Sequence, residues 1–432
     1  MSRTWLKGLT LASLGLSPWV VFAAGFQIQE QNAASLGTAY SGTAAIARDA
    51  SSAFYNSAAL TWVPQRQYAQ AFVLAHADVD FQIGQSLSNI GTPSDGAYQV
   101  NPGGTAPVPA FHYATRLDPR WVFGLSAAAP FGVKTEYAPT SAARYLATKS
   151  AFLTYMISPS LAYRLSEKWS LGFGADAGYV LAELNANIGV GDYATDGYQV
   201  NKASAWGLGW HVGMLYEYSP ATRFGVNVRS RIPVAAQGKS VTHLGDTVRE
   251  QDVFAQVDLP DTVLFSAVHQ LTTKVLMLAD VQWTQWSRFE ALRLKFSSIY
   301  APTGVEVTNV VETPEHFRNT VRTSIGTEYH YRDKWTLKTG AAYDPTPTRP
   351  GFRTVRIPDA DRFWLSMGVM YRLSARAHVD VGYAHIFFRS IEVQDCGPVS
   401  ATNGMPVTAS YIEGAYQTKG DVLGIQISWD LL

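Results

Sequence analysis

The chain is short of three things. It has a single cysteine, Cys396, which excludes an internal disulfide and any metal site built on a cysteine cluster. Only 16% of its residues are charged, against the ~25% usual in soluble domains. The 34 basic and 34 acidic residues cancel, so no charge excess points to nucleic acid. Beyond the N-terminal stretch there is no apolar run long enough for a membrane-spanning helix. What the chain has in plenty is rings: 12 Trp, 22 Tyr and 20 Phe. Low charge with many aromatics suits a wall that faces lipid.

Met1–Ala23 has the pattern of an export signal. Arg3 and Lys7 give a positive start, Leu9–Phe22 is mostly apolar, and Val21-Phe22-Ala23 suits cleavage after Ala23. An inner-membrane anchor is the other reading of this stretch, but it is short for a span.

From Gln67 onward the dominant pattern is alternation. In Ala205–Tyr218 the even positions are Trp206, Leu208, Trp210, Val212, Met214, Tyr216 and Tyr218, and the odd ones are small or polar. Period two with one greasy face marks strands. Leu153–Leu165, Arg362–Leu373 and Leu423–Leu431 repeat the pattern. The spacing predicts strands at 67–81, 106–116, 121–133, 153–165, 169–188, 204–218, 222–237, 261–271, 274–285, 320–332, 335–344, 362–373, 377–388 and 421–431. Short turns rich in Pro, Asp and Ser alternate with long connections at 82–105, 134–152, 189–203, 238–260, 286–319, 345–361 and 389–420. Tight turns at one rim and long loops at the other describe an antiparallel transmembrane β-barrel of roughly fourteen strands, its short turns and both ends periplasmic. The fold class is therefore all-β. A soluble β-sandwich would also alternate, but it gives no reason to segregate loops by length.

Ala24–Pro64 shows no strand period, yet carries Phe26, Ile28, Leu36, Tyr40, Phe54, Tyr55, Leu60 and Trp62. That is too apolar for a solvated tail. A barrel this wide needs filling or leaves a channel, so the segment is expected to plug the lumen. The expected organisation is a signal over 1–23, a hatch over 24–65 and a barrel over 66–432. Within the third strand, Pro130-Phe131-Gly132 combines a residue that cannot donate to a ladder with one that tolerates distortion. A break in pairing is expected there, or else the strand simply ends.

Several motifs together resemble the outer-membrane long-chain fatty acid transporter family, whose relatives include aromatic-hydrocarbon uptake channels. They are Ala24-Gly25-Phe26-Gln27, Leu36-Gly37-Thr38-Ala39-Tyr40-Ser41-Gly42, Asn56-Ser57-Ala58-Ala59-Leu60, Ile157-Ser158-Pro159-Ser160-Leu161, Asp280-Val281-Gln282-Trp283-Thr284-Gln285-Trp286-Ser287 and Ile357-Pro358-Asp359-Ala360-Asp361-Arg362. The resemblance implies a fourteen-strand barrel with an N-terminal hatch, passive uptake of hydrophobic molecules and a lateral exit at a third-strand gap, here Pro130, Phe131 and Gly132. It also implies that Phe26 touches ligand and that Arg293, in the motif Arg288-Phe289-Glu290-Ala291-Leu292-Arg293-Leu294-Lys295, holds a ligand carboxylate with Lys295 beside it. Arg293 and Lys295 also read as solvated charges at a loop base. The chain departs from the family in the hatch motif Asn56, Ser57 and Ala58, where the family usually has Asn-Pro-Ala, in ending at Leu432 rather than an aromatic, and in a short 189–203 loop. A second family basic position, within 183–187, is unoccupied.

Burying an acyl chain of around fourteen methylenes at ~0.8 kcal/mol each is worth roughly 11 kcal/mol. A transporter that binds so tightly must change shape to let go. The expected ligand is a long-chain fatty acid or another hydrophobic small molecule. The other surroundings are outer-membrane lipid and lipopolysaccharide, with no cofactor, no metal, no nucleic acid and a monomeric chain. A general porin is an alternative, as is an outer-membrane lipolytic enzyme. The enzyme lacks sequence support: there is no G-x-S-x-G elbow and no H-E-x-x-H. Ser266 and His269 fall on opposite faces of one strand by parity. Asp176, His211, Glu217, Arg229, Arg322, Glu328, His330, Arg362, Arg372 and Asp380 are expected to point inward and hold the hatch.

Overall fold

The structure is a computed structural model that describes residues 25–63, 66–189, 195–300, 306–400, 406 and 408–431. The expected export signal, Pro64 and Leu432 lie outside the described residues. Fourteen antiparallel strands close into a barrel. In chain order they are β1 (Arg66–Leu87), β2 (Gly104–Arg116), β3 (Trp121–Ala128 and Gly132–Glu136), β4 (Lys149–Arg164) and β5 (Trp169–Ile188). Then come β6 (Gly197–Ser219), β7 (Thr222–Arg229 and Ile232–Leu244), β8 (Thr247–Leu259 and Thr262–Gln270), β9 (Val275–Thr284 and Ala291–Tyr300) and β10 (Glu306–Pro314 and Thr320–Arg332). The last four are β11 (Trp335–Asp344), β12 (Arg362–Arg372), β13 (Ala377–Phe388 and Ile391–Asp395) and β14 (Tyr411–Asp430). Closure comes from β1 against β14, paired from Gln67↔Asp430 to Leu87↔Tyr411 with one register shift between Ile83 and Gln85.

The alternation decides which face meets lipid. Trp206, Leu208, Trp210, Val212 and Met214 are exposed, while His211, Gly213 and Leu215 are buried. The short turns stand where expected. The long connections are corrected. Residues 238–260 are a continuous hairpin of β7 and β8, joined at Gly245 and Asp246. Only Gly245 adopts positive φ there. Strand also occupies 197–203, 291–300 and 306–314. Polar residues at those positions, such as Lys239, Glu250 and Asp252, hid the alternation.

The interruptions share one level. Arg229 pairs with Thr262, Thr262 with Thr284 and Thr284 with Thr320, so the breaks in β7 to β10 lie along a single row. Below it, towards the short turns, all neighbouring strands pair, with segments close to the ~9–11 residues that cross a bilayer. Above it β7–β8 and β9–β10 continue as two hairpins, laddered to each other from Val253↔Phe296 to Gln256↔Arg293.

Gly25–Val63 lies inside, almost wholly buried. It reaches the wall at glycines on the inner face. A Cβ on Gly172 would stand 2.3 Å from the Ala58 nitrogen, and one on Gly340 would stand 2.3 Å from the Thr38 carbonyl carbon. Inward polar groups complete the attachment. Asp280 accepts from the Gly42 nitrogen at 2.6 Å and the Thr43 hydroxyl at 2.7 Å. Gln426 accepts from the Ala33 nitrogen at 3.1 Å, Arg322 donates to the Ala39 carbonyl at 2.9 Å, and Lys338 donates to the Ala34 carbonyl at 2.6 Å. Asp176, His211, Arg229, Glu328, Arg362 and Asp380 are buried as expected, whereas Glu217 and His330 are half-buried and Arg372 is exposed near the short-turn rim.

The Asn56-Ser57-Ala58 turn stays rigid without proline. The Asn56 side chain accepts from the Ala58 nitrogen at 3.1 Å and donates to the Ala44 and Met214 carbonyls at 2.6 and 3.0 Å. The short helix Ser57–Trp62 follows, capped by Asn56.

Candidate functional site

The upper parts of β3 to β9 enclose an apolar cavity of about 60 Å³ lined by Phe26, Val133, Phe152, Val180, Val234 and Phe289, among others. It continues outward into a wetter chamber of about 370 Å³ lined by Asn89, Tyr145, Gln199 and Gln251. Leu184, Asn201, Leu292, Leu294 and Arg356 border both. The inner volume is smaller than the roughly 150 Å³ apolar cavity that accepts benzene. A hydrophobic ligand therefore has to displace something to enter.

Among the described residues of the N-terminal segment, Phe26 alone stands on that cavity wall. Its ring stands edge-on to Trp286 at 4.6 Å, Phe152 at 5.1 Å and Phe289 at 5.4 Å between centroids. Its backbone is tied to the interruption in β3. The Gly132 nitrogen donates to the Phe26 carbonyl at 2.7 Å, and the Ile28 nitrogen donates to the Pro130 carbonyl at 2.8 Å. Gln27 and Phe131 form an isolated antiparallel bridge. The Gly25 nitrogen donates to Asp359 at 2.9 Å.

The β3 interruption falls at 129–131, taking in Pro130 and Phe131 of the expected motif while Gly132 opens the next segment, and it leaves a gap. The Gly132–Glu136 segment pairs with β4, while Gly104–Ala110 of β2 pairs only with β1 among the described residues. The free edge of β2 has a chemical reason to stay free. Leu117 donates to the Trp121 carbonyl at 2.9 Å, so the odd positions of β2 turn their backbone polar groups toward β3. Pro107 and Pro109 are odd, and proline carries no N–H. The edge cannot complete a ladder with β3, and Phe26–Ile28 takes up the hydrogen bonds that β2 leaves. Two prolines at i and i+2 inside a strand were the available sequence signal for this.

The structure does not bring Arg293 or Lys295 to the cavity. Leu292 and Leu294 line it, and alternation turns Arg293 and Lys295 outward, both exposed. Arg293 pairs with Glu312 at 2.8 Å. The cation on the cavity wall is Arg356, on the 345–361 connection, which folds into the lumen. Its Nη1 donates to Ser150 Oγ at 2.9 Å. Glu315, at the β10 interruption above the spanning segments, also lines the cavity. Burial, with the nearby Asp395 carboxylate, pushes the Glu315 carboxyl well above its ordinary range. Nothing in the sequence marked Arg356, because 345–361 reads as an outer loop. Ser266 accepts from the Ala44 nitrogen at 2.9 Å, while His269 lies exposed beside Thr222, so the two form no catalytic pair.

The family model for outer membrane protein transport proteins (OMPP1/FadL/TodX) matches residues 15–430. The chain belongs to the OMPP1/FadL/TodX family. It is an outer-membrane transport protein for hydrophobic compounds, and the family is made of channels rather than enzymes. A long-chain fatty acid transport protein of Salmonella typhi is 28% identical over 420 residues, covering 90% of this chain and 92% of the relative. A 47 kDa outer membrane protein of Pasteurella multocida is 28% identical over 417 residues, covering 89% and 93%. Among solved structures, a Pseudomonas aeruginosa FadL homologue superposes with a TM-score of 0.82 at 23% identity, covering 94% of this chain and all of that one. The Ralstonia pickettii toluene transporter TbuX gives 0.67 at 19%, covering 92% and 98%. These last two likenesses show the FadL-type fold alone.

Proposed function

We propose that the chain carries long-chain fatty acids inward without an energy source, from the outer chamber into the apolar cavity and out sideways through the gap beside β3. In this reading residues 1–23 are an export signal removed from the mature protein and 24–65 form a hatch within the 66–432 barrel. Only the first residues of the hatch act as a gate. The observation that carries the reading is Phe26. One residue both fills the apolar cavity and holds, through its carbonyl, the edge of the gap at Gly132. A chain entering the cavity displaces the ring, and the displaced backbone frees the edge. The large cost of releasing a buried tail is offset because closure re-forms the aromatic cluster.

Arg356 is the group that receives the carboxylate. It stands where the polar chamber meets the apolar one, so head and tail are both satisfied. The fatty acid transport proteins among the relatives support this cargo. The toluene transporters of the same fold support a neutral one, and Arg356 tells the two apart. Arg356→Ala should weaken binding of a C16 fatty acid by about 1.5–3 kcal/mol, roughly 10–100-fold, and leave a neutral aromatic unchanged, as read by calorimetry on the detergent-solubilised barrel. Equal loss for both ligands would remove the carboxylate role.

A further inference from the structure

The wall has a second break beside the same cavity. β6 pairs with the lower part of β7 from His211↔Arg229 to Ser219↔Thr222 and with the upper part from Ser204↔Gln237 to Tyr198↔His243. Between these ladders, Ala205–Gly209 has no partner on β7. At the lower end the Ser230 nitrogen donates to the Trp210 carbonyl at 2.9 Å. That bond shows that the even positions of β6 turn their backbone polar groups toward β7. Trp206 and Leu208 therefore direct theirs into the seam. On the facing edge the pairing Ser204↔Gln237 places odd residues toward β6, and one of them is Pro233, without an N–H.

The seam is closed by side-chain packing instead of hydrogen bonds. β7 steps inward, and Ile232 lies over the inner face of β6. A Cβ on Gly207 would stand 2.5 Å from Ile232 Cγ2, and one on Gly209 would stand 2.7 Å from Ile232 Cγ1. Only glycine permits that approach. On the lumen side, Val234, Ala236 and Ala203 next to the seam line the apolar cavity. Beside the upper end of the seam, at the paired Ser204 and Gln237, lies an open groove of about 430 Å³, and Ala151, Ala182 and Ala203 border both the cavity and this groove. Trp206, Leu208 and Trp210, at 61%, 71% and 53% exposure, offer lipid an apolar approach.

We propose that the β6–β7 seam is a second lateral port, through which a hydrophobic cargo passes between the cavity and the outer membrane, with Ile232 as its stopper. An unladdered edge is costly in hydrocarbon. A backbone seam that proline and glycine keep unpaired, next to an apolar cavity, serves a moving apolar chain better than it serves a static wall. The inference rests on the cavity being the cargo site.

Photolabelling tests it. The full-length barrel in phospholipid vesicles is irradiated with a C16 fatty acid carrying an ω-diazirine, and labelled peptides are mapped. The expected result is label at Trp206–Gly209 or Ile232–Pro233 as well as at the cavity residues, with seam label rising at least severalfold in Ile232→Ala. The heat-dependent gel shift of the barrel checks that this variant is folded. Label at the cavity without label at the seam, or seam label unchanged by Ile232→Ala, would overturn the port while leaving the cavity as cargo site. Label at neither would overturn the cavity reading itself, and the port with it.

Discussion

The lower and upper parts of this barrel are built on opposite principles. Below the row Arg229, Thr262, Thr284 and Thr320, the ladder is complete and the interior is occupied by backbone lying against inner-face glycines and clamped by polar groups such as Asp280. At that row β7 to β10 are interrupted, and above it the interior holds the apolar cavity and the wetter chamber, and two seams lack hydrogen bonds. Lipid demands the first arrangement, because unpaired backbone in hydrocarbon is costly. Passage demands the second. The chain meets both by stacking them, and the N-terminal segment joins the two: its body is fixed below, and only Gly25 to about Gln31 reaches the seam above.

The largest expected effect comes from removing what fills the lower part. Deleting Ala24–Pro64 should leave a folded barrel that conducts small ions in a planar bilayer and has lost selective uptake. Unchanged uptake would take the segment out of the mechanism. Next comes the gap edge. Replacing Pro107 and Pro109 together by Thr restores two donors on β2 and lets it pair with β3. Uptake should fall about tenfold, the equivalent of about 1.4 kcal/mol. Unaltered uptake would mean that the missing donors do not keep the gap open. A clamp below should behave differently. Asp280→Ala removes the hydrogen bonds from Gly42 and Thr43 to a buried carboxyl group, each worth about 0.5–1.5 kcal/mol. It should lower the heat-unfolding midpoint and expose Gly42–Ala45 to protease, with less effect on ligand affinity.

Two smaller effects separate the cations of the upper part. Burial and the Asp395 carboxylate raise the Glu315 carboxyl pKa above its ordinary range, which favours the neutral form beside a ligand carboxylate near Arg356. As pH rises through that value a negative charge appears, and fatty acid affinity should fall. Glu315→Gln should flatten the pH profile, and a neutral aromatic ligand should show no such slope. Arg293→Ala, at an exposed pair with Glu312, should change fatty acid binding by less than about 1 kcal/mol. A larger loss would restore the role that the family resemblance suggests.

The lower part was legible in the sequence and the upper part was not, for one physical reason. Where a strand crosses lipid below the row of interruptions, Leu171 and Phe173 against Ser170, Gly172 and Gly174 write period two plainly. Where it stands in water, as at Lys239, Glu250 and Asp252, both faces tolerate polar residues and the hairpin reads as a loop. Pro130 and Gly132 announced their break because proline and glycine act locally. Arg356 could not announce itself. Its place depends on the 345–361 connection turning inward, where Val355, Ile357 and Ala360 are buried, and that is decided by the cavity as a whole. The resemblance pointed to Phe26, which lines the cavity, and to Arg293, which faces outward, since a motif fixes position along the chain but one step of strand register reverses a side chain.

Locking the gate tests the central claim most directly. Gln27 and Phe131 face each other in an antiparallel bridge, a spacing suited to a disulfide. In a Cys396→Ser background, Gln27→Cys with Phe131→Cys should form that bond on oxidation. If cargo leaves beside β3 when the first residues of the N-terminal segment let go, uptake of a C16 fatty acid should fall sharply under oxidising conditions and return on reduction. Undiminished uptake through the oxidised, demonstrably cross-linked barrel would contradict it.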